Sequence, residues 1–536
     1  MRRFNSYGPV NPKLHYYAPR TEYIEKVNSQ LMGENDAEGG HYITVWAPRQ
    51  TGKTWLMGEI LYQLQKDPRF HVLKINLQNL KTETNPKTVL KIIAETIGDG
   101  LKKSFTKINT GQSFQNIFKK DSIKKPLILI LDEFDSLAET AINAIVGAFR
   151  NIYINRLEER DIPTEQKTYL LHAVALIGVR SVLGIENDKG SPFNVQRSMH
   201  IDNLTFDEVQ GMFQWYERES GQKIEPEVIE KLFQETNGQP GLIGWLGELL
   251  TEGCRNYVND TTRPINMDDF NIVYHMAMDI LPNNNIINLV SKAKIQPYKD
   301  KVINLFKSDE PIPFRFDDEA TNYLYMNGII EPEPGADAIN FLRFASPLVQ
   351  KRLFNYFAND LFKELGQLAG IFYSVPRFLF PDRIDIPVLL QLYQTYLDKN
   401  KGWLFKNAPR RNDMRIYEAV FHFNLYAYLH QLLSGERILV HPEFPTGNGK
   451  IDLLLQRMDK TMTYGIELKS FANEWKYRQA LEQAALYGKK LGITEIYLVS
   501  FVESIDEASL KKYSTPFVEP VTAVTVYPHF LQTGNI

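Results

Sequence analysis

A chain of 536 residues is several times the usual domain size, so two to four domains are expected. Hydrophobic residues at 43% and charged residues at 23% exclude a disordered or fibrous chain. The 61 Lys and Arg against 64 Asp and Glu give a formal net charge of −3, which excludes a globally basic nucleic-acid coat protein but not a local basic groove. A single cysteine, Cys254, excludes an intrachain disulfide framework and suits a reducing cytosol. No apolar run approaches the roughly 18 residues of a spanning helix, and the opening MRRFNSYGPVNPKLHYY has no apolar stretch behind its charges. A cytoplasmic protein without a membrane partner is expected.

The first third reads as alternating strands and helices. HYITVWA (41–47), HVLKINL (71–77), PLILILDEF (126–134) and LHAVALIGV (171–179) are strand-like, and residues 55–65 have helical spacing. Their apolar runs are continuous rather than alternating, as in strands buried on both faces of a parallel sheet. Beyond residue 204 helices dominate. Thr205 and Glu208 form a capping box, a second helix after Pro226 stops at Asn237-Gly238, and another starts at Gln239-Pro240-Gly241. Residues 328–334 and 338–347 read as the two strands of a winged helix. The last 180 residues return to mixed α and β.

Ala47-Pro48-Arg49-Gln50-Thr51-Gly52-Lys53-Thr54 lies between a strand and a helix and fits the phosphate-loop pattern, with Ala47 in place of the first glycine. Backbone N–H groups and the helix N-terminus would cradle phosphates, Lys53 would reach the terminal ones, and Thr54 would bind Mg²⁺. The apolar run Leu127–Leu131 ends in Asp132-Glu133. In a parallel sheet that end lies beside the phosphate loop, so Asp132 would hold the Mg²⁺ and Glu133 would polarise the attacking water. ATP and Mg²⁺ are the expected cofactors.

These residues resemble the AAA-like branch of the STAND ATPases, over residues 15–355. The resemblance implies that Arg180, in Gly178-Val-Arg180-Ser181, senses the terminal phosphate and that Pro240 lies near the base, although Pro240 and Gly241 equally suit a plain helix start. Ser191–Asn194 also resembles a family signature. Arg150 and Arg156 are candidates for an arginine acting on a neighbouring chain.

The C-terminal region reads as α-β-β-β-α-β: a helix over 414–433, strands near 437–443, 451–456 and 462–470, a helix over 474–491, and a strand over 495–501. Glu467 and Lys469, two apart on a strand, share a face. Asp452 on the neighbouring strand can meet Glu467 around a divalent metal that would activate water, with Lys469 positioning that water and offsetting charge. The pattern resembles the PD-(D/E)XK nuclease superfamily. That resemblance adds Glu418 as a further metal ligand and Gln483 with Tyr487 as the QxxxY pair of its RecB-like branch. Ile451 stands where the superfamily often has proline. His422 is read as a packing residue.

Lys399, Lys401, Trp403, Lys406, Arg410, Arg411 and Arg415 precede this region and suit a strand-tracking groove with stacked bases, or equally a solvated linker. The lysine-rich stretch 101–125 is read as a solvated insertion.

The expected architecture is therefore α/β throughout: a P-loop ATPase parallel sheet (1–205), a helical lid (206–285), a winged helix (286–357) and a restriction-endonuclease-like domain (358–536). The expected function is an ATP-regulated, Mg²⁺-dependent nuclease acting on DNA, with a prokaryotic defence role by family analogy. ATP, a homo-oligomer or an activating partner would gate the cutting. The alternative is a signalling or scaffold ATPase whose nuclease-like domain binds nucleic acid without cleaving it. A DNA-translocating repair enzyme ranks last, because no second motor domain is visible.

Overall fold

The computed structural model describes the chain except residues 35–38, 179–195, 255–256, 308–310, 336–338, 364, 366–376, 407, 409–415, 417, 434–435, 446–449, 460, 471–473 and 535–536. Two compact units result, one of Met1–Leu289 with Arg315–Glu331, the other of Val290–Phe314 with Pro332–Ile536.

The first unit is built on a five-stranded sheet. Its strands are β1 (Tyr42–Trp46), β2 (His71–Asn76), β3 (Leu127–Asp132), β4 (Leu171–Gly178) and β5 (Gln196–His200), in the spatial order β2-β3-β4-β1-β5. Every pairing is parallel. All residues of β1, β3 and β4 are buried, because helices cover both faces. One face packs on helices Pro86–Leu101 and Glu139–Glu158, through Ile93, Ile97, Ile145 and Phe149. The other packs on Thr21–Met32 and Lys53–Leu64, through Val27, Leu31, Met57 and Ile60. The sequence pattern does not reveal β5. Its run Gln-Arg-Ser-Met-His is polar because it is an edge strand, paired to β1 alone.

The helical part follows as Phe206–Ser220, Pro226–Thr236, Pro240–Glu252 and Met267–Asp279. Thr205 and Glu208 form the expected reciprocal cap. Asn237 (φ 49°) and Gly238 (φ 68°) end the second of these helices in left-handed backbone. The N-terminal segment is strapped to this part: Phe4, 1% exposed, packs 4.7 Å from Phe213 and 5.1 Å from Tyr16. A Cβ on Gly244 would stand 2.2 Å from the Asn5 carbonyl, so only glycine allows the strap to lie so close.

β6 (Ile330–Pro334) pairs with β7 (Asn340–Phe344), the two strands expected there. In the second unit, six further strands form a mixed sheet: β8 (Ile438–Pro445), β9 (Lys450–Arg457), β10 (Thr463–Ser470), β11 (Glu495–Val502), β12 (Phe517–Val518) and β13 (Thr525–Gln532). Their order is β12-β13-β11-β10-β9-β8, antiparallel through β8-β9-β10 and parallel through β10-β11-β13. Helix Glu418–Leu433 is buried almost throughout, and Phe421 stacks on Phe501 of β11 at 4.6 Å. Helix Glu474–Leu491 covers the sheet through Tyr477, Leu481, Ala484 and Tyr487, against Leu498 and Val526. The sequence does not reveal β13, because Pro528 argues against a strand interior. The structure accommodates the proline because β12 pairs only with Thr525 and Val526, so at Pro528 the strand is flanked by β11 alone.

Truncating Leu129 on β3, fully buried in the larger cluster, should leave a cavity between rigid layers. Leu129→Ala is expected to cost about 2–5 kcal/mol, read as a lower thermal-unfolding midpoint of the first unit.

Candidate nucleotide site and a second acidic centre

The chain leaves β1 at Trp46 and turns through residues 47–52 into helix Lys53–Leu64. Gln50 (φ 58°) and Gly52 (φ 88°) both adopt left-handed backbone, which opens the loop around the helix N-terminus. Thr51 Oγ1 donates to the Pro48 carbonyl at 2.9 Å. Lys53, only 9% exposed, donates through Nζ to the carbonyls of Ala47 (2.7 Å) and Pro48 (2.6 Å). Thr54 and Arg49 are exposed.

Two other segments meet this loop. From the helical part, the Gly241 N–H donates to the Gln50 carbonyl at 3.0 Å, and Gln239 Nε2 donates to the Arg49 carbonyl at 3.1 Å. Pro240 sits between these two anchors. From residues 315–331, Gly328 lies so close that a Cβ there would stand 2.7 Å from Pro48 Cβ. The loop is therefore tied to elements far apart in sequence.

Across the sheet, Asp132 ends β3 almost wholly buried, and its Oδ1 accepts the Glu133 N–H at 3.1 Å. Glu133 has left-handed backbone at φ 57°. Burial first, then the carboxylates of Asp135 and Asp132, push its carboxyl above the ordinary value, against the pull of Lys53 and Arg49. Two residues of this centre were not singled out from sequence. Asp135 fills the end of β4, where a Cβ on Gly178 would stand 2.5 Å from its Oδ1. Lys74, on β2, places its ammonium 2.9 Å from Asp132 Oδ2. The signal for Lys74 was a cation inside an otherwise apolar strand, and for Asp135 a third acid two residues past Glu133.

Arg180, with Ser181 and Ser191–Asn194, lies outside the described residues. Arg156 does not fit a role on a neighbouring chain: it is 4% exposed and donates through Nη1 to the Tyr169 carbonyl at 2.6 Å. The helix face that carries it is buried, which the sequence spacing alone did not reveal.

In the second unit, Asp452 lies on β9 and Glu467 and Lys469 on β10. Glu467 is 1% exposed, its Oε1 pairs with Lys469 Nζ at 3.0 Å, and its Oε2 has no hydrogen-bond partner among the described residues. Asp452 Oδ2 accepts the Leu468 N–H at 2.7 Å. Burial, then the Asp452 charge, pushes Glu467 up to about 8, with Lys469 opposing and Glu418 adding to the rise. Burial by itself disfavours the Lys469 charge, but Glu467, Asp452 and Glu418 together hold it well above the ordinary lysine value. Gln483 donates to the Tyr487 hydroxyl at 2.7 Å. Burial raises Tyr487, the Gln483 hydrogen bond opposes it, and the charges of Glu467, Lys469 and Asp452 reach it as well. The residues singled out from sequence thus share one electrostatic neighbourhood. Among the described residues no group of three or more His, Cys, Asp or Glu stands close enough to hold a metal.

His422 packs 4.5 Å from the Phe354 ring, as expected, and Nε2 also donates to the Asp452 carbonyl at 3.0 Å. Ser500 on β11 lies directly opposite Lys469, buried, and its Oγ has no partner among the described residues. Of the basic stretch, Trp403 is 47% exposed and Lys401 pairs with Asp398 at 3.2 Å, while Arg410, Arg411 and Arg415 lie outside the described residues. In the lysine-rich stretch, Lys103 donates to the Ser122 carbonyl and Lys125 to that of Pro68, so two of its cations are pinned to backbone rather than merely solvated.

Burial pushes Lys53 down to about 8, while Glu133, Asp135 and Asp132 hold it up. The unfolded chain keeps that proton to higher pH, so this group adds stability as pH rises from about 8 towards the ordinary lysine value. Anion binding needs the charged form. Nucleotide affinity is therefore expected to fall as pH rises through about 8, and Lys53→Met should bind nucleotide weakly with no inflection there, both read by titration calorimetry.

Residues 8–252 match the family model described as an AAA-like domain. Among solved structures the chain is similar to a Walker-type ATPase of Pyrococcus abyssi, at 14% identity and a TM-score of 0.40, covering 65% of this chain and 99% of that one. It is similar to the Aeropyrum pernix ORC1 protein in complex with DNA, at 14% identity and a TM-score of 0.33, covering 63% and 92%. A third likeness is to the Thermotoga maritima RuvB Holliday junction branch migration motor, at 16% identity and a TM-score of 0.32, covering 58% and 89%. No curated protein matches the chain. The N-terminal part is an AAA-like P-loop ATPase domain. Among the described residues no helix is long and apolar enough to cross a membrane.

Proposed function

We propose that this chain is an ATP-regulated nuclease that cleaves DNA phosphodiesters with Mg²⁺, its AAA-like domain serving as the nucleotide-dependent switch. The observation that carries the second activity is Glu467: a carboxylate buried beside Lys469, with one oxygen unpartnered among the described residues and two further acids, Asp452 and Glu418, acting on it. Concentrating acids in a buried place is costly unless a cation compensates them. The order of helices and strands around this centre, and the Gln483–Tyr487 pair beside it, agree with a PD-(D/E)XK core.

In the first unit, the loop amides and Lys53 would hold the phosphates of ATP, and Thr54 and Asp132 would hold the accompanying Mg²⁺. Glu133, at the end of β3, would orient water, and Pro240 would meet the nucleotide from the lid. In the second unit, Glu418, Asp452 and Glu467 would hold Mg²⁺, which supplies a water of lowered pKa and charge stabilisation at phosphorus. Lys469 Nζ would orient that water, and the Gln483–Tyr487 pair would contact the strand. His422 holds the Asp452 backbone in place. Prokaryotic defence against foreign DNA, with an oligomer or an activating partner as the gate, is the role this combination supports.

A second reading is a signalling ATPase whose C-terminal domain binds nucleic acid without cutting. It is favoured by the Asp452 carboxylate, which is turned onto the Leu468 N–H rather than grouped with the other acids into a three-ligand set.

Cleavage of linear and circular DNA with Mg²⁺, with and without ATP, distinguishes the two. Asp452→Ala and Lys469→Ala should each lower cutting at least about 100-fold while leaving DNA binding intact. Wild-type binding without cutting, under all conditions including added cell extract, favours the scaffold. A measurement independent of turnover follows from Glu467. Its raised value means the folded state holds a proton that the unfolded state releases, so in EDTA stability should fall from the ordinary carboxylate range towards about 8. Mg²⁺ should raise the melting temperature at pH 8 but not at pH 5, and Glu467→Gln should abolish that difference.

A further inference from the structure

The Asp132 carboxylate faces two demands that conflict. It ends a buried strand, 3% exposed, so in the absence of metal its charge needs a counter-charge. To serve a nucleotide-bound cation, the same oxygen must be free to turn to it. The counter-charge present is Lys74. Lys74 lies opposite Ile130 in the β2–β3 register, two residues before Asp132, and its side chain, 18% exposed, reaches along the strand to bring Nζ 2.9 Å from Oδ2. The contact lacks hydrogen-bond alignment, since Oδ2 has no hydrogen-bond partner among the described residues. The attraction is therefore mainly Coulombic, and the oxygen's lone pairs remain open to a better-placed cation. The other lysine of the site is similarly engaged, with Lys53 Nζ donating to the Ala47 and Pro48 carbonyls.

We propose that Lys74 is a built-in counter-ion for Asp132, a positioning residue that occupies the metal-facing oxygen in the nucleotide-free protein and yields it when a Mg²⁺–nucleotide complex binds. This rests on the reading of Asp132 as the carboxylate that serves the metal. Lys74 thereby narrows the site's preference for metal-bound over metal-free nucleotide. Without a divalent cation the Lys74–Asp132 pair stays closed and the net charge facing the phosphates is less negative. With the cation the pair opens, and part of the metal's attraction to Asp132 is spent displacing the ammonium.

The test is ATP affinity by calorimetry, in excess Mg²⁺ and in EDTA, for the wild type, Lys74→Met, Lys74→Gln and Lys74→Arg, with melting curves to confirm folding. Methionine keeps the apolar stem packed while removing the charge. The expected result is that Lys74→Met and Lys74→Gln bind Mg²⁺–ATP about three- to tenfold more tightly than the wild type and bind ATP in EDTA equally or less tightly. Lys74→Arg should keep the wild-type ratio of the two affinities. A ratio unchanged in the folded neutral variants would overturn the proposal, as would weaker Mg²⁺–ATP binding, which would make Lys74 a simple support. Asp132→Asn separates the premise from the inference. It should lose most of the Mg²⁺ effect, and if it keeps that effect in full, the reading of Asp132 itself fails, whatever the Lys74 variants do.

Discussion

A buried strand can end in a charge only where an opposite charge meets it, and both sheets are organised around that constraint. β3 is buried along its whole length and ends in Asp132, answered by Lys74 from β2. β10 carries Glu467 at 1% exposure, answered by Lys469 two residues on. Desolvation raises the Glu467 carboxyl, and Lys469 offsets only part of that in a place several acids share. A residual demand for positive charge of this kind is what the divalent cations of the proposed function would meet.

The supporting layers follow from this. Helices on both faces of the first sheet keep β3 dry, which gives the Lys74–Asp132 pair its strength and also lowers Lys53. In the second unit, helix Glu418–Leu433 lies under the sheet and brings His422 to the Asp452 carbonyl, while helix Glu474–Leu491 closes the other side with Tyr487. The phosphate loop is held by its neighbours as well as by its own turn, since Gln239, Gly241 and Gly328 all touch it from elsewhere in the chain. A change in that loop would displace contacts to the helical part and to the 315–331 segment.

Besides the two-residue β12, two strands were hidden from the sequence for opposite reasons. β5 is polar because it lies at an edge with one partner, so it lacks the apolar run by which β1, β3 and β4 declare themselves. β13 contains Pro528, an ordinary sign against a strand, and only the shortness of β12 explains why it is tolerated. Arg156 was misplaced because helical spacing shows that two residues share a face, but not whether that face is the wet one.

The sequence by itself determined what is local and periodic: the strand-loop-helix of residues 42–64, the acids at the end of β3, the capping box at Thr205, and the Glu467–Lys469 pair on one strand face. These depend on neighbours in the chain, through backbone geometry and side-chain period. Tertiary structure alone decided that Lys74 answers Asp132 and that His422 meets the Asp452 carbonyl. Lys74 and Asp132 are 58 residues apart, and Asp452, Glu418 and Tyr487 come from three elements. Their partnership arises from strand register and helix docking, because an electrostatic interaction in a buried place is set by distance and dielectric, neither of which is written in the spacing of residues along the chain.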